Sequence, residues 1–215
     1  METVNWLQQS WDSLLKTLNI PSERSEPIWK ELLMRYQESH RQYHNLLHLR
    51  HLLKQWGEHE DLMDEPIGVA LAIWFHDLIY EPLRPDNEEQ SARRAEQILL
   101  SWQVDQALVQ RVKLLIEDTA KHMPGTDLLD NRLFLDMDLS ILGSEPDAYV
   151  TYARQIREEY YQLPEAVYTA GRIQVLDRFL QRPFLFFTPA FRQRFELIAR
   201  QNISNELTRL ATQVP

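Results

Sequence analysis

Two polar residues, His76 and Asp77, interrupt an apolar run that extends from Ala70 to Tyr80. Burying a carboxylate or an imidazole without partners costs several kcal/mol, and a metal ion or a tight hydrogen-bond network removes most of that cost. The pair therefore indicates a metal site or a polar network inside the core. The simpler interpretation is a capping histidine beside an aspartate that binds a distant arginine.

A second polar cluster lies upstream, in the segment Tyr43–His48. In a helix, His44 and His48 would be one turn apart and share a face, which suits two metal ligands or one ligand and one acid. The plainer interpretation is a polar helix face, because Arg41 and Lys54 are in the same region. Three further histidines are expected to be solvated: His40, His51 and His59.

A third cluster is the carboxylate pair Asp136 and Asp138, within the apolar segment Phe134–Leu139. Residues two apart on a helix point about 200° away from each other, so only one should face a site. We favour Asp138 as the ligand and place Asp136 behind it, as a residue that orients a ligand or forms an ion pair. Three such clusters, each on its own apolar helix, can converge on one divalent metal ion.

Three other residues could take part in the site. His122 could be a further ligand or a phosphate contact, although its place at a helix end explains it equally well. Glu88 could orient a water molecule, and the alternative is a favourable charge in a first helical turn. Arg172, Arg178 and Arg182 could bind phosphate, although solvation is the better interpretation of Arg178 and Arg182.

The elements that must position these residues are predicted to be helices. Only 5 glycines occur in 215 residues, and most of the 11 prolines fall between segments of helical periodicity. This pattern predicts an all-α fold of nine or ten helices in a single domain, residues 1–215. The metal-site core would span about residues 40–142, and helices within residues 146–211 would pack on it.

Several helix ends can be predicted from individual residues. Gly57 and the acidic run to Glu65 predict a loop after a helix that ends at Trp56, and Pro66 begins a helix that continues to about Tyr80. Asp86 and Glu89 have the spacing of a capping box. A break near Asn202 would divide the last helical segment into a pair.

Composition excludes several classes of protein. A net charge of −9 and a pI of about 5.3 disfavour a surface for nucleic-acid polymers. With no cysteine, any metal must bind histidine and carboxylate. No signal peptide or membrane span is apparent, so we expect a cytoplasmic protein that does not bind membranes. The protein could also form a homodimer.

The ordered set of His48, His76-Asp77 and Asp138 on a helical chain resembles the HD superfamily of metal-dependent phosphohydrolases. The segment Tyr43–Leu49 also resembles the Tyr-His-Asn-x-x-His signature of cyclic-nucleotide phosphodiesterases, which are distant members. The chain more closely resembles a bacterial group of predicted metal-dependent HD-superfamily phosphohydrolases. That similarity covers nearly the whole length, through the segments Trp74–Tyr80, Asn87–Ala92, Phe134–Gly143 and Ala199–Asn202.

The resemblance implies roles for individual residues. The metal ligands would be His48, His76, Asp77 and Asp138, and His44 would match the general acid of the phosphodiesterases. Binuclear members place additional histidines between the His-Asp pair and the last aspartate, whereas this chain has only His122 there. One divalent ion is therefore expected, of Mn, Fe, Ni, Co, Zn or Mg.

The resulting hypothesis is that the protein hydrolyses a small phosphoester by attack of a metal-bound water. Nucleotides are among the candidate substrates. His44 would protonate the leaving oxygen, and Asp136 or Glu88 would orient a ligand or the water. Two alternatives belong to other classes. One is a non-catalytic helical module that binds a nucleotide or phosphate, and the other is a helical scaffold with a structural metal.

Overall fold

The computed structural model describes residues 2–212, and this part of the chain is all-helical, with no strand. This confirms the predicted all-α class and helix number. Two short 3-10 turns, Glu60–Leu62 and Ser140–Gly143, supplement ten α-helices: α1 Glu2–Thr17, α2 Ser22–Tyr36, α3 Leu46–His59, α4 Pro66–Phe75, α5 Asn87–Ser101, α6 Gln106–Thr119, α7 Leu129–Leu139, α8 Pro146–Glu159, α9 Glu165–Leu180 and α10 Pro189–Ala211.

The chain divides into two compact units at Phe134, a position inside α7. The N-terminal unit contains α1 to α6, and the C-terminal unit contains α8 to α10. The prediction of a single domain over residues 1–215 stays a prediction.

The N-terminal unit is built around α4, which is apolar on every face. Eight of its ten residues are buried, and it packs against α3, α5 and α6. A helix of this composition belongs inside a core, because no side of it gains from contact with water. Aromatic rings enclose its end: Trp11 packs edge-on against Trp74, with centroids 5.0 Å apart, and also contacts Trp29 and Trp102.

Asp130 fixes the start of α4. Its fully buried carboxylate accepts hydrogen bonds from the backbone N–H groups of Asp64 and Glu65, both at 2.9 Å, and from Arg111 at 2.8 Å. Pro66 then occupies the first turn, where a missing N–H removes no helical bond. The helix that leads to His76 is therefore anchored at its beginning.

In the C-terminal unit, α10 packs against α9 and the Ser140–Gly143 turn. At Gly143, an added Cβ would lie 2.6 Å from the Cβ and 2.9 Å from the carbonyl oxygen of Phe195, so this close approach requires glycine. Asn202 donates to the carbonyl oxygens of Leu142 and Ser144, at 3.0 and 2.8 Å. The predicted break near Asn202 is therefore wrong, because this buried amide joins an unbroken α10 to the turn.

Three other predicted helix boundaries differ from the structure. Gly57 lies within α3, which continues to His59, so the predicted loop begins later. The helix predicted to reach Tyr80 ends at Phe75, and His76 is its C-cap residue. Asp86 makes no capping hydrogen bond, because its carboxylate instead binds the Arg84 guanidinium.

No helix within residues 2–212 has both the length and the apolar character needed to cross a lipid bilayer.

Candidate metal centre

His76 is held in one orientation by the backbone at the end of α4. It is buried, and its Nδ1 lies 2.9 Å from the carbonyl oxygen of Ile73. Because a carbonyl oxygen can only accept, Nδ1 carries a proton, and Nε2 is the ring atom that faces His48 and Asp77. The early end of α4 thus produces an imidazole oriented for metal binding.

His48 and Asp77 meet that nitrogen. The Nε2 atoms of His48 and His76 are 3.3 Å apart, and Asp77 Oδ2 lies 3.0 Å from His76 Nε2 and 3.7 Å from His48 Nε2. The two histidines are separated by 28 residues in sequence, so packing of α3 against α4 creates the group. Both histidines are buried.

Asp77 Oδ2 is a buried oxygen with no hydrogen-bond partner among the described residues. Burial opposes ionisation of Asp77, but the nearby His76 and His44 hold its pKa well below the ordinary range for a carboxyl group. The carboxylate is therefore ionised at neutral pH and requires positive charge close by. Leaving such an atom unsatisfied would cost a few kcal/mol, so its position points to a ligand.

The spacing of the three atoms suits one divalent ion. Imidazole nitrogens bind such ions at about 2.0–2.1 Å, so neighbouring ligand atoms on one ion are about 3.0–3.4 Å apart. The nitrogen separation of 3.3 Å and the oxygen distances of 3.0 and 3.7 Å fall close to that range. These separations are compatible with ligand atoms that share one ion.

His44 lies beside this group but outside the helix. The prediction that His44 and His48 share a helical face is wrong, because α3 begins at Leu46 and Asn45 is its N-cap, accepting from the Leu47 N–H. The His44 ring is nevertheless 5.7 Å from the His48 ring, between centroids, and 4.4 Å from that of Tyr80. A residue on a turn thus reaches the group that the helix carries.

Arg41 is a residue of the site that sequence reasoning assigned to a polar helix face. Its buried guanidinium donates to the carbonyl oxygens of Asp77 at 2.6 Å, Leu78 at 3.2 Å and His44 at 3.3 Å. It also binds the Glu38 carboxylate at 3.0 Å. One side chain therefore ties the turn after α4 to the turn before α3.

No spacing rule could have identified Arg41 in advance. Two of its carbonyl partners are 36 and 37 residues away in sequence, and they are available only because α4 ends at Phe75.

Glu88 interacts electrostatically with both Asp77 and His122. Burial raises the pKa of the Glu88 carboxyl, the Asp77 charge raises it further, and His122 and His76 oppose the shift. Glu88 is in the first turn of α5, as predicted, and His122 follows the end of α6 with a φ of 45°. Glu88 therefore holds its proton to higher pH than an ordinary glutamate.

Asp136 has its own partners within the C-terminal unit. Its buried carboxylate accepts from the N–H of Phe187 at 2.6 Å, and from the N–H and hydroxyl of Thr188 at 2.8 and 2.6 Å. The Asp136 carboxylate thus binds the segment that leads into α10. It forms no ion pair with a basic side chain among the described residues. Burial raises its pKa to about 6.

Asp138, the favoured ligand, is half-buried in the last turn of α7.

Arg172 does not present a free guanidinium for phosphate. It is buried and binds both oxygens of Glu206, at 2.9 and 3.1 Å, while the Tyr149 hydroxyl donates to the same carboxylate at 2.5 Å. Its charge is neutralised inside the C-terminal unit, so the expected phosphate contact is replaced by a buried ion pair between α9 and α10.

Comparisons with protein-family models, with curated proteins and with solved structures returned no match.

Proposed function

We propose that this chain is a metal-dependent phosphohydrolase of the HD type, acting on a small phosphoester, with nucleotides as the first substrates to test. His48, His76, Asp77 and Asp138 would hold one divalent ion. The observation that carries the proposal is the buried Oδ2 of Asp77, which has no hydrogen-bond partner among the described residues and faces the Nε2 atoms of His76 and His48 at 3.0 and 3.7 Å.

Helical register supports Asp138 as the fourth ligand. The Phe134 ring packs edge-on against the His76 ring, with centroids 5.7 Å apart. Asp138 follows Phe134 by four residues in one unbroken helix, so both side chains belong to the same face. His48, His76 and Asp138 together have the donor chemistry to hold a metal ion.

When bound, a divalent ion would activate a water and polarise a phosphoryl oxygen. His44 would donate a proton to the leaving oxygen, a role that histidine side chains commonly fill in general acid catalysis. Glu88 would orient the attacking water, and its raised pKa favours proton exchange closer to neutral pH. Arg41 would hold Asp77 and His44 at a fixed distance from each other, through hydrogen bonds to the backbone carbonyl oxygens of both residues.

The test is elemental analysis of purified wild type, His76→Ala, Asp77→Ala and His51→Ala, with a panel of phosphoesters assayed on the same samples. His51 is the matched control, because it is an exposed histidine one turn further along α3. We expect about one ion per chain in wild type and in His51→Ala, and loss of both metal and turnover in the other two variants.

Other outcomes distinguish the competing functions. Metal without turnover on any phosphoester would favour a binding module or a structural metal, and unfolding of Asp77→Ala would favour the structural metal. A wild-type protein that neither contains a divalent ion nor takes one up would refute the proposal.

A further inference from the structure

Three residues other than glycine adopt a left-handed backbone within residues 2–212: Asn19 with a φ of 54°, Gln103 with a φ of 61° and His122 with a φ of 45°. Each lies just after the end of a helix, which is α1, α5 or α6 respectively. Glycine ordinarily occupies such a position, because it has no Cβ to clash with the preceding turn.

The turn that ends α6 is a Schellman motif with His122 at its left-handed position. The His122 N–H donates to the Thr119 carbonyl oxygen at 3.2 Å, and the Met123 N–H donates to the Asp118 carbonyl oxygen at 3.3 Å. Histidine is tolerated in this conformation, but glycine would make a more stable turn. Residues held in such conformations cluster at functional sites, so the imidazole at this position points to a function.

His122 lies at the open end of a helical hairpin. Helices α5 and α6 pack against each other and are joined by only four residues, 102–105, so the end of α6 returns to the start of α5. Glu88 is in the first turn of α5, and its carboxyl group interacts electrostatically with His122, Asp77 and His76. The path of the chain and this interaction both place His122 near the candidate ligands.

Hydrogen bonds hold the start of α5 against the segment that follows α4. Asn87 accepts from the Glu81 N–H at 3.0 Å and donates to the Glu81 carbonyl oxygen at 2.9 Å. The Ser91 hydroxyl accepts from the Ile79 N–H at 3.0 Å and donates to the Ile79 carbonyl oxygen at 3.1 Å. Because Ile79 follows Asp77 by two residues, the open end of the hairpin is fixed beside the candidate metal centre.

We propose that His122 binds a phosphoryl oxygen of the substrate through an imidazole N–H, at the edge of the candidate metal centre. An imidazole has two ring nitrogens, so one side chain can contact Glu88 and a substrate oxygen together. His122 is half-buried, and the exposed Lys121 beside it adds positive charge at this end of α6. When a divalent ion is bound, its charge offsets the carboxylates of Asp77 and Asp138, so these ligands do not repel an anionic substrate.

This inference rests on the proposed function, because it names a residue that would select a phosphorylated substrate at the same site.

The test compares His122→Gly with Gln103→Gly, which changes the same motif at the closed end of the same hairpin. Gln103 is exposed, and its N–H and that of Val104 make the equivalent hydrogen bonds, to the carbonyl oxygens of Leu100 and Leu99. Wild type and both variants are loaded with Mn²⁺, freed of excess metal and titrated with inorganic phosphate in a calorimeter. Manganese content and Tm are measured on the same samples.

We expect Tm to rise by about 2–4 °C in both glycine variants, because glycine fits the left-handed position without strain. Only His122→Gly should bind phosphate about tenfold more weakly than wild type, through loss of one charge-assisted hydrogen bond. Its manganese content should equal that of wild type. Weaker binding by a more stable protein cannot be attributed to unfolding.

Unchanged phosphate affinity in His122→Gly, with a lowered Tm, would overturn the proposal, since the imidazole would then only interact with the negative end of α6. Loss of manganese in that variant would also overturn it, because His122 would then be a metal ligand. Absence of phosphate binding by wild type would overturn it as well. Failure of the proposed function would be visible separately, as a wild type that takes up no manganese.

Discussion

At the scale of single residues, backbone carbonyl oxygens hold the candidate site in place as much as side chains do. Ile73 fixes the His76 ring, and Arg41 gathers the carbonyl oxygens of Asp77, Leu78 and His44. The Arg41 guanidinium also lies over two aromatic rings, 5.2 Å from the ring centroid of Tyr36 and 5.4 Å from that of Tyr80. The planar Arg41 guanidinium therefore donates hydrogen bonds to several acceptors at once.

Arg41→Lys should lower both stability and metal affinity. A lysine keeps the charge, but its single nitrogen cannot reach Glu38 and three carbonyl oxygens together, so buried acceptors lose their donor. We expect a loss of about 2–4 kcal/mol in the free energy of unfolding and about tenfold weaker metal binding. Urea denaturation and metal titration measure the two effects.

Arg50→Lys is the control for that experiment, because Arg50 is half-buried on α3 and binds Glu2 and Thr3. An Arg41→Lys protein with unchanged metal affinity would show that Arg41 supports the fold alone.

Asp136 should leave a signature in the pH dependence of stability. Burial raises its pKa from 3.8 to about 6, so between these values the native state keeps a proton that the unfolded chain releases. This contribution to stability is complete below pH 4 and is lost as the pH rises through 6. The stability advantage of wild type over Asp136→Asn should therefore shrink by about 3 kcal/mol between pH 4 and pH 7.

Urea denaturation of both proteins across that range would measure the change. An advantage that grows with pH would mean that the three donors from Phe187 and Thr188 keep the carboxylate ionised instead. Metal content serves as a second measurement, since Asp136→Asn should retain the ion whereas Asp138→Asn should lose it.

At the scale of helices, sequence signals predicted some ends and missed others for identifiable reasons. Pro66 begins α4 as predicted, because the first helical turn needs no N–H there. Gly57 and Asn202 looked like breaks, yet both lie inside helices. Packing overrode propensity at Asn202, whose amide has two carbonyl partners that are 60 and 58 residues away in sequence.

The same limit applies to the candidate site. The His-Asp pair and the upstream histidines could be identified from their apolar setting and spacing. The role of Arg41 and the partners of Asp136 could not, because both depend on backbone groups exposed where another helix begins or ends.

Two glycines in the C-terminal unit should respond to alanine in opposite directions. Gly171 lies in the interior of α9 on the exposed surface, and an added Cβ would meet nothing within 4 Å. Gly171→Ala should stabilise the protein by about 0.4–1 kcal/mol. Gly143→Ala should destabilise it by about 1–3 kcal/mol, because Phe195 backbone blocks the added carbon.

Thermal denaturation of the two variants compares them directly. Destabilisation by Gly171→Ala would show that α9 needs flexibility at this position, and a neutral Gly143→Ala would show that the turn can move away from α10.

At the scale of the whole molecule, a net charge of −9 should oppose the approach of an anionic substrate. Salt screens this repulsion, because the Debye length falls to about 10 Å at 0.1 M. If the chain hydrolyses phosphoesters, kcat/KM should rise about twofold between 0.02 and 0.2 M salt, and more for a dianionic substrate than for a monoanionic one. Steady-state assays with both substrates measure this, and a fall with salt would show local attraction prevailing over net charge.

The early end of α4 has one more consequence. Its carbonyl groups point past Phe75 toward His76 and Asp77, so the negative pole of the helix macrodipole coincides with the candidate ligands. That field favours any cation by charge alone and cannot tell one divalent metal from another. Selection among metals is thus left to ligand geometry and to cellular supply.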